Sequence, residues 1–142
     1  MRELHTEIEI DAPPERVWEV LTAFDTYSEW NPFIRRLIGS PHEGERLEVR
    51  IEPPDGRGMT FRPTVIEATP NRELRWLGRF LVPGLFDGEH ILRVEPRNGG
   101  SRFIQSEKFS GLLVPLLGGG LAKTEEGFRR MNAALKERAE RR

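Results

Sequence analysis

Three polar side chains interrupt the apolar faces of two predicted strands in the second half of the chain. His90 shares its face with Leu92, while Gln105 and Glu107 share theirs with Phe103. Burying three polar groups on inward faces is costly unless they are hydrogen-bonded. If the two strands form a hairpin, the three side chains meet, and a carboxylate beside a histidine can hold a proton near neutral pH. Such a pair suits general acid–base chemistry, such as enolisation or dehydration of a polyketone.

Two quieter roles for the same residues stay open at this point. They could anchor the polar end of a ligand, or satisfy one another as a structural hydrogen-bonded cluster. A different strand register would instead turn all three side chains towards water.

Other chemistries lack the residues they require. The chain has no cysteine, which excludes disulfides, thiolate catalysis and zinc–thiolate sites. Its histidines, His5, His42 and His90, show no metal-binding spacing, so no metal is expected. Residues 118–124 superficially resemble a phosphate loop but lack two of the glycines that it needs.

Alternating polar and apolar residues predict strands along most of the chain. The first runs from Leu4 to Ile10, and later segments alternate at residues 47–52, 61–65, 74–80, 89–95 and 102–109. Residues 34–38 could form one more strand. Pro63 falls inside one segment and cannot donate to a ladder, so an edge position or a bulge is expected there. Gly78, within a bulky strand, could permit curvature or the close approach of a ligand, and curvature is expected.

Helical patterns flank these strands. A short helix is predicted from about Pro13 to Thr22, with Asp11 as its candidate N-cap, and a further helical turn must end before Pro32. A long helix of roughly 40 Å is predicted from Leu113 to about Glu140. Its single apolar stripe, which needs a large surface to lie across, comprises Leu113, Leu117, Leu121, Thr124, Phe128, Met131 and Leu135.

Length and composition bound the class of protein. The 142 residues favour one domain, residues 1–142, and the order of strands and helices favours an α+β fold. The formal net charge is −1, which argues against a nucleic-acid partner. No apolar run reaches the length of a membrane helix, and the first residues lack the apolar core of a signal peptide, so a cytoplasmic location is expected.

Several segments resemble a known superfamily, and they keep its order along nearly the whole chain. They are Ala12–Trp18, Tyr27–Ile34, Phe86–His90, Gln105–Leu113 and Gly127–Lys136. Together these segments resemble the START-like, or Bet v 1-like (SRPBCC), superfamily and its polyketide cyclase/dehydrase branch.

The resemblance implies a helix-grip fold. In this fold a seven-stranded curved antiparallel sheet wraps a long C-terminal helix, two short helices follow the first strand, and a deep apolar cavity separates sheet and helix. Members bind lipids, sterols, polyketides or other hydrophobic molecules, and some are enzymes. No cofactor is implied, and either a monomer or a homodimer is compatible with the fold.

The inward-facing residues are the candidate ligand contacts, although large apolar side chains most often simply fill a core. Trp30 could line the pocket mouth or hold the short helices against the sheet. The candidates are Trp30, Phe33, Phe61, Trp76, His90, Phe103, Gln105, Glu107, Phe109, Leu117, Leu121, Phe128 and Met131.

Three hypotheses about function follow from these residues and the resemblance. The first is binding of a small hydrophobic molecule, with His90, Gln105 and Glu107 as polar anchors. The second is a cofactor-free cyclase or dehydratase in which His90 and Glu107 carry protons. The third is a protein-interaction module of the Hsp90-activator kind, which predicts a large exposed apolar patch.

Overall fold

An antiparallel sheet and a long C-terminal helix organise the part of the chain that the computed structural model describes, residues 2–80, 84, 86–111 and 120–141. The strands are β1 (Arg2–Ile10), β2 (Ile34–Ile38), β3 (Glu48–Ile51), β4 (Met59–Phe61), β5 (Thr64–Thr69), β6 (Glu73–Phe80), β7 (Phe86–Arg97) and β8 (Gly100–Ser110). The helices are α1 (Pro14–Thr22), a 3₁₀ turn (Phe24–Thr26), α2 (Tyr27–Trp30) and α3 (Gly120–Glu140).

The strands form two antiparallel sheets. Five strands follow the order β1-β8-β7-β6-β5, and three follow the order β2-β3-β4. The two longest strands, β7 and β8, pair from Asp87 and Ser110 to a tight hairpin turn at Asn98 and Gly99. Both turn residues have positive φ, 39° and 85°, as the twist of a two-residue hairpin requires.

The structure has eight described strands where seven were predicted, because one predicted strand is broken at Pro63. The break separates β4 from β5, and Pro63 contributes only its carbonyl, which accepts from the Leu47 main-chain N–H at 2.9 Å. Val65 is also held by two main-chain hydrogen bonds. Its carbonyl accepts from the Gly44 N–H at 2.8 Å, and its N–H donates to the Glu45 carbonyl at 2.9 Å. The expected interruption at the proline thus lies where one sheet passes into the other.

The first helix begins one residue later than predicted, and the predicted cap is wrong. Pro13 is the N-cap, and its carbonyl accepts from the N–H groups of Arg16 and Val17. The Asp11 main-chain N–H instead donates to Glu140 Oε2 at 2.7 Å. Two consecutive prolines place the helix start beyond the reach of Asp11, because Pro is favoured in the first helical turn. The predicted end of α2 before Pro32 is confirmed.

The apolar stripe of α3 supplies a large part of the core. Leu121, Phe128, Met131 and Leu135 are all buried, and α3 packs against β1 and α1. Burying each such side chain contributes about 1.5–3 kcal/mol. The predicted start of this helix, including Leu113, lies outside the described residues.

The carbonyl end of α3 is capped by one side chain from α1. The Arg16 guanidinium donates to the main-chain oxygens of Arg138, Ala139 and Arg141, at 3.2, 3.2 and 3.0 Å. These carbonyls have no partner within the helix, and a cation is favourable at this end of the helix dipole. Arg16 therefore fixes the end of α3 against α1.

A charged network covers the outer face of β6 and β7. Glu73 accepts from Arg93 Nε at 2.9 Å and also from Arg75, which bonds Glu89 at 3.0 Å. Burial opposes ionisation of Glu73, but the hydrogen bonds from Arg93 and Arg75 outweigh it and lower the pKa of this carboxyl. The outer face thus holds a partly buried carboxylate in its charged form.

No helix in the described ranges is long and apolar enough to cross a membrane.

Candidate functional site

Three neighbouring strands place Trp76, His90 and Glu107 in one row across the sheet. In the strand register, Trp76 lies opposite His90 and His90 lies opposite Glu107. Directly opposed residues point to the same face, so the three side chains are neighbours. His90 Nδ1 lies 3.0 Å from Glu107 Oε1, and His90 Nε2 lies 2.9 Å from Gln105 Oε1. The register therefore joins the three polar residues singled out in the sequence.

The hydrogen bonds continue from Gln105 to two residues that the sequence did not single out. Gln105 Nε2 donates to Asn132 Oδ1 at 2.7 Å, and Asn132 Nδ2 donates to Thr6 Oγ1 at 2.9 Å. The Thr6 hydroxyl donates to the Gln105 main-chain oxygen at 2.8 Å. The resulting polar chain runs from Glu107 through His90, Gln105 and Asn132 to Thr6, and it ties β1, β7, β8 and α3 together.

Weak signals for these two residues are present in the sequence. Thr6 belongs to the inward face of the first strand, between Leu4 and Ile8, and Asn132 follows Phe128 by one helical turn. Both residues are 2% exposed. A polar residue at a buried position of an amphipathic element needs a partner, but the pattern does not say which one.

Aromatic rings enclose the His90 imidazole. The Trp76 ring stacks on it with centroids 5.0 Å apart and an interplanar angle of 23°, and the Phe128 ring meets it edge-on at 5.1 Å. Phe33 packs in turn against Phe128 at 5.6 Å. Gly127 makes this approach possible, because a Cβ there would overlap the Phe33 ring. The imidazole is thus held between apolar faces, and its side chain is 5% exposed.

Glu107 is the more accessible member of the pair. Its side chain is 15% exposed, and its Oε2 accepts no hydrogen bond from the described residues. Gly88 makes room for that oxygen, because a Cβ at position 88 would lie 2.6 Å from Oε2. The carboxylate therefore keeps one oxygen with unused hydrogen-bonding capacity.

Two buried indole N–H groups also have no hydrogen-bond partner within the described part of the chain. They belong to Trp76, which is 1% exposed, and to Trp30, whose ring packs on Tyr27 at 5.1 Å. Burial raises the pKa of the Tyr27 hydroxyl, which donates to the Leu21 carbonyl. An unpartnered buried donor is costly, so the Trp76 N–H can gain from a ligand acceptor.

The remaining candidate residues fall into three groups. Phe33, Phe103, Phe109, Leu121 and Met131 are buried members of the same core cluster. Trp30 and Phe61 are partly buried against that cluster. Leu117 lies outside the described residues. Contact between a ligand and any of these side chains stays a prediction.

Among the residues that the structure describes, no three His, Asp or Glu side chains are grouped so that they could hold a metal ion.

The five-stranded antiparallel sheet, the short helices after β1 and the long C-terminal helix define a helix-grip protein of the START-like, or Bet v 1-like, class. The sequence profile of the family described as polyketide cyclase / dehydrase and lipid transport matches residues 1–140. The chain belongs to this family, which confirms the resemblance seen in the sequence. No curated protein sequence matches the chain significantly.

Solved structures share the fold at low sequence identity. The Zhui aromatase/cyclase from Streptomyces sp. R1128 is 16% identical with a TM-score of 0.80, covering 99% of this chain and 94% of its own. Ara h 8.0201 is 14% identical with a TM-score of 0.72, covering 97% of each chain. The di-domain aromatase/cyclase StfQ of the steffimycin pathway is 17% identical with a TM-score of 0.67. The alignment with StfQ covers 96% of this chain, which spans 51% of the length of StfQ.

Proposed function

We propose that the protein binds a small hydrophobic molecule, lipid- or polyketide-like, between the sheet and α3. The observation that carries this proposal is unused hydrogen-bonding capacity inside apolar surroundings. Glu107 Oε2 and the Trp76 indole N–H have no partner among the described residues, and both side chains flank His90, whose ring contacts Phe128. Ligand sites of this kind combine a mostly apolar lining with a few polar groups that fix orientation.

The surroundings and the family both support this proposal. The buried core cluster that includes Trp76 also includes the large apolar side chains of Phe103, Phe109 and Phe128. The family description names lipid transport as well as cyclase and dehydrase activity. The expected partner is thus a small apolar molecule. We expect the protein to be cytoplasmic and to be a monomer or a homodimer.

Native mass spectrometry of the protein, purified without detergent, tests binding directly. We expect a bound mass of small-molecule size that organic extraction removes. Titration of the extracted protein with 1-anilinonaphthalene-8-sulfonate supplies a second readout, and fluorescence enhancement should saturate at one probe per chain. Trp76→Phe should weaken the binding, whereas Leu77→Phe, on the opposite face of β6, should not. Absence of both a bound mass and saturable fluorescence would refute the proposal.

A cyclase or dehydratase is the second candidate function, and the His90–Glu107 bond specifically favours it. The accessible Glu107 oxygen can accept a proton from a carbon next to a ketone, which leaves an enolate. The protonated His90–Glu107 pair can then give that proton to a departing hydroxyl, which leaves as water. We expect turnover on a polyketone substrate to fall at least a hundredfold in Glu107→Gln and His90→Ala. Unchanged turnover in both variants would rule out these roles.

An interaction module is the third hypothesis, and nothing in the described part of the chain favours it over the other two. The large apolar side chains exposed there, Ile38, Met59 and Ile66, lie on three different strands.

A further inference from the structure

The polar chain has a fixed direction, because Thr6 at one of its ends is bonded to the Gln105 main-chain oxygen, which can only accept. We infer that this direction places one proton in the bond between His90 Nδ1 and Glu107 Oε1, so that Glu107 Oε2 offers an acceptor to a ligand hydroxyl. Thr6 and Asn132 are the positioning residues of this arrangement. The statement about the ligand rests on the proposed function, whereas the statement about the proton does not.

The first links of the chain set the orientation of Asn132. The Gln105 main-chain oxygen cannot donate, so the Thr6 hydroxyl must donate its only hydrogen to that oxygen. Thr6 Oγ1 then has only lone pairs for its second contact, which Asn132 makes at 2.9 Å. Only the amide nitrogen of Asn132 can donate there. Asn132 Oδ1 therefore faces Gln105.

The next links set the tautomer of His90. Because Asn132 Oδ1 accepts, the amide nitrogen of Gln105 must face it, at 2.7 Å. The Gln105 Oε1 atom is then directed at His90 Nε2, 2.9 Å away, and this oxygen can only accept. His90 Nε2 must therefore carry a hydrogen.

The last link places a second proton. With a hydrogen on Nε2, a neutral imidazole has only a lone pair at Nδ1. That lone pair would face a lone pair of Glu107 Oε1 at 3.0 Å, which is repulsive unless a proton lies between the two atoms. Whether the proton is closer to nitrogen or to oxygen, the pair has no net charge. A pair without net charge also avoids burying an uncompensated charge beside Trp76 and Phe128.

This arrangement selects the kind of polar group that the site accepts. In both positions of the shared proton, Glu107 Oε2 carries no hydrogen and presents lone pairs. A hydroxyl, whether alcohol, phenol or enol, can donate to it. An ether or ester oxygen in the same place would put lone pairs against lone pairs. We therefore expect an apolar ligand that carries a hydroxyl group.

Nuclear magnetic resonance of the ¹⁵N-histidine-labelled protein at pH 7 tests the proton placement without any ligand. We expect one-bond ¹H–¹⁵N coupling at His90 Nε2 and a strongly deshielded proton shared between Nδ1 and Glu107. Glu107→Gln should abolish that deshielded proton and keep the hydrogen on Nε2, because the new amide donates to Nδ1. A wild-type His90 whose Nε2 carries no hydrogen would overturn the inference.

Thr6 variants test the positioning role. Thr6→Val keeps the shape of the side chain but removes the hydroxyl. The side-chain amides of Asn132 and Gln105 can then adopt a second orientation, in which the Gln105 nitrogen faces His90 Nε2. We therefore expect His90 Nε2 to carry a hydrogen in only part of the molecules. Thr6→Ser restores the hydroxyl and should restore the wild-type spectrum. An Nε2 signal that is unchanged in Thr6→Val would refute the role of Thr6. If Thr6→Val does not fold, the wild-type and Glu107→Gln spectra still decide the placement of the proton.

A matched pair of probes tests the ligand class. We expect 1-naphthol to bind about tenfold more tightly than 1-methoxynaphthalene, which is the change in Kd that one hydrogen bond gives. The preference should persist in Glu107→Gln, which keeps an acceptor oxygen, and vanish in Glu107→Leu. Equal binding of both probes to the wild type would overturn this inference alone. Binding of neither probe would count against the proposed function instead.

Discussion

Asn132 is the residue whose loss should damage the polar chain most, and Asn132→Leu preserves the branched outline of its side chain. The substitution removes the bonds of 2.7 Å to Gln105 and 2.9 Å to Thr6. Gln105 Nε2 would retain only a long contact, 3.5 Å, to the Phe128 carbonyl, and Thr6 Oγ1 would lose its donor. Each of these two buried groups costs about 1–3 kcal/mol when it loses its partner, so we expect a loss of about 2–6 kcal/mol in unfolding free energy.

Urea unfolding followed by circular dichroism at pH 7 measures this loss, which is a large share of the roughly 5–15 kcal/mol that stabilises a typical domain. The double variant Thr6→Val/Asn132→Leu removes both ends of one hydrogen bond. Its cost should therefore be smaller than the sum of the single costs by about 1–2 kcal/mol. Arg130→Leu, on the exposed side of α3, is the control and should change the free energy by less than about 0.5 kcal/mol. Additive single costs, or an Asn132→Leu cost no larger than that of the control, would refute the reasoning.

Three further predictions concern other contacts. Gly88→Ala should displace the Glu107 carboxylate from His90, which should cost about 1–2 kcal/mol in the free energy of urea unfolding and remove the preference for 1-naphthol. A variant with wild-type stability and an unchanged preference for 1-naphthol would contradict the role of Gly88. Glu73→Gln should cost about 1–2 kcal/mol at pH 7, because the lowered pKa of Glu73 means that its ionised form stabilises the fold. That difference from wild type should shrink as the pH falls below about 4, and a constant difference would contradict it. Arg16→Met should lower the thermal midpoint through the loss of about 1–2 kcal/mol at the α3 cap, and an unchanged midpoint would show that the cap contributes nothing.

Much of the fold could be predicted because its elements obey simple periodicities. Alternation placed His90 and Glu107 on inward faces, and the stripe through Phe128 and Met131 placed α3 against the sheet. The break at Pro63 was expected from its missing N–H group. These features depend on local sequence and on burial, which a single chain reveals.

The polar chain could not be predicted, because it depends on which elements meet. Thr6 and Asn132 are separated by 126 positions, and neither position shows which buried polar group it bonds. The Asp11 cap was wrong for a local reason, because Pro13 and Pro14 set the start of α1 and make Pro13 the N-cap. The register that aligns His90 of β7 with Glu107 of β8 is fixed by the turn between the two strands, and the alternation within each strand does not specify it.

The indole N–H of Trp76 offers the most direct test that a ligand binds against this row of residues. In a ¹H–¹⁵N spectrum recorded at saturation with 1-naphthol, we expect the Trp76 indole signal and the His90 ring signals to shift. The indole signal of Trp18, on α1, should stay in place. Saturable binding that leaves the Trp76 and His90 signals unmoved would contradict the proposed site.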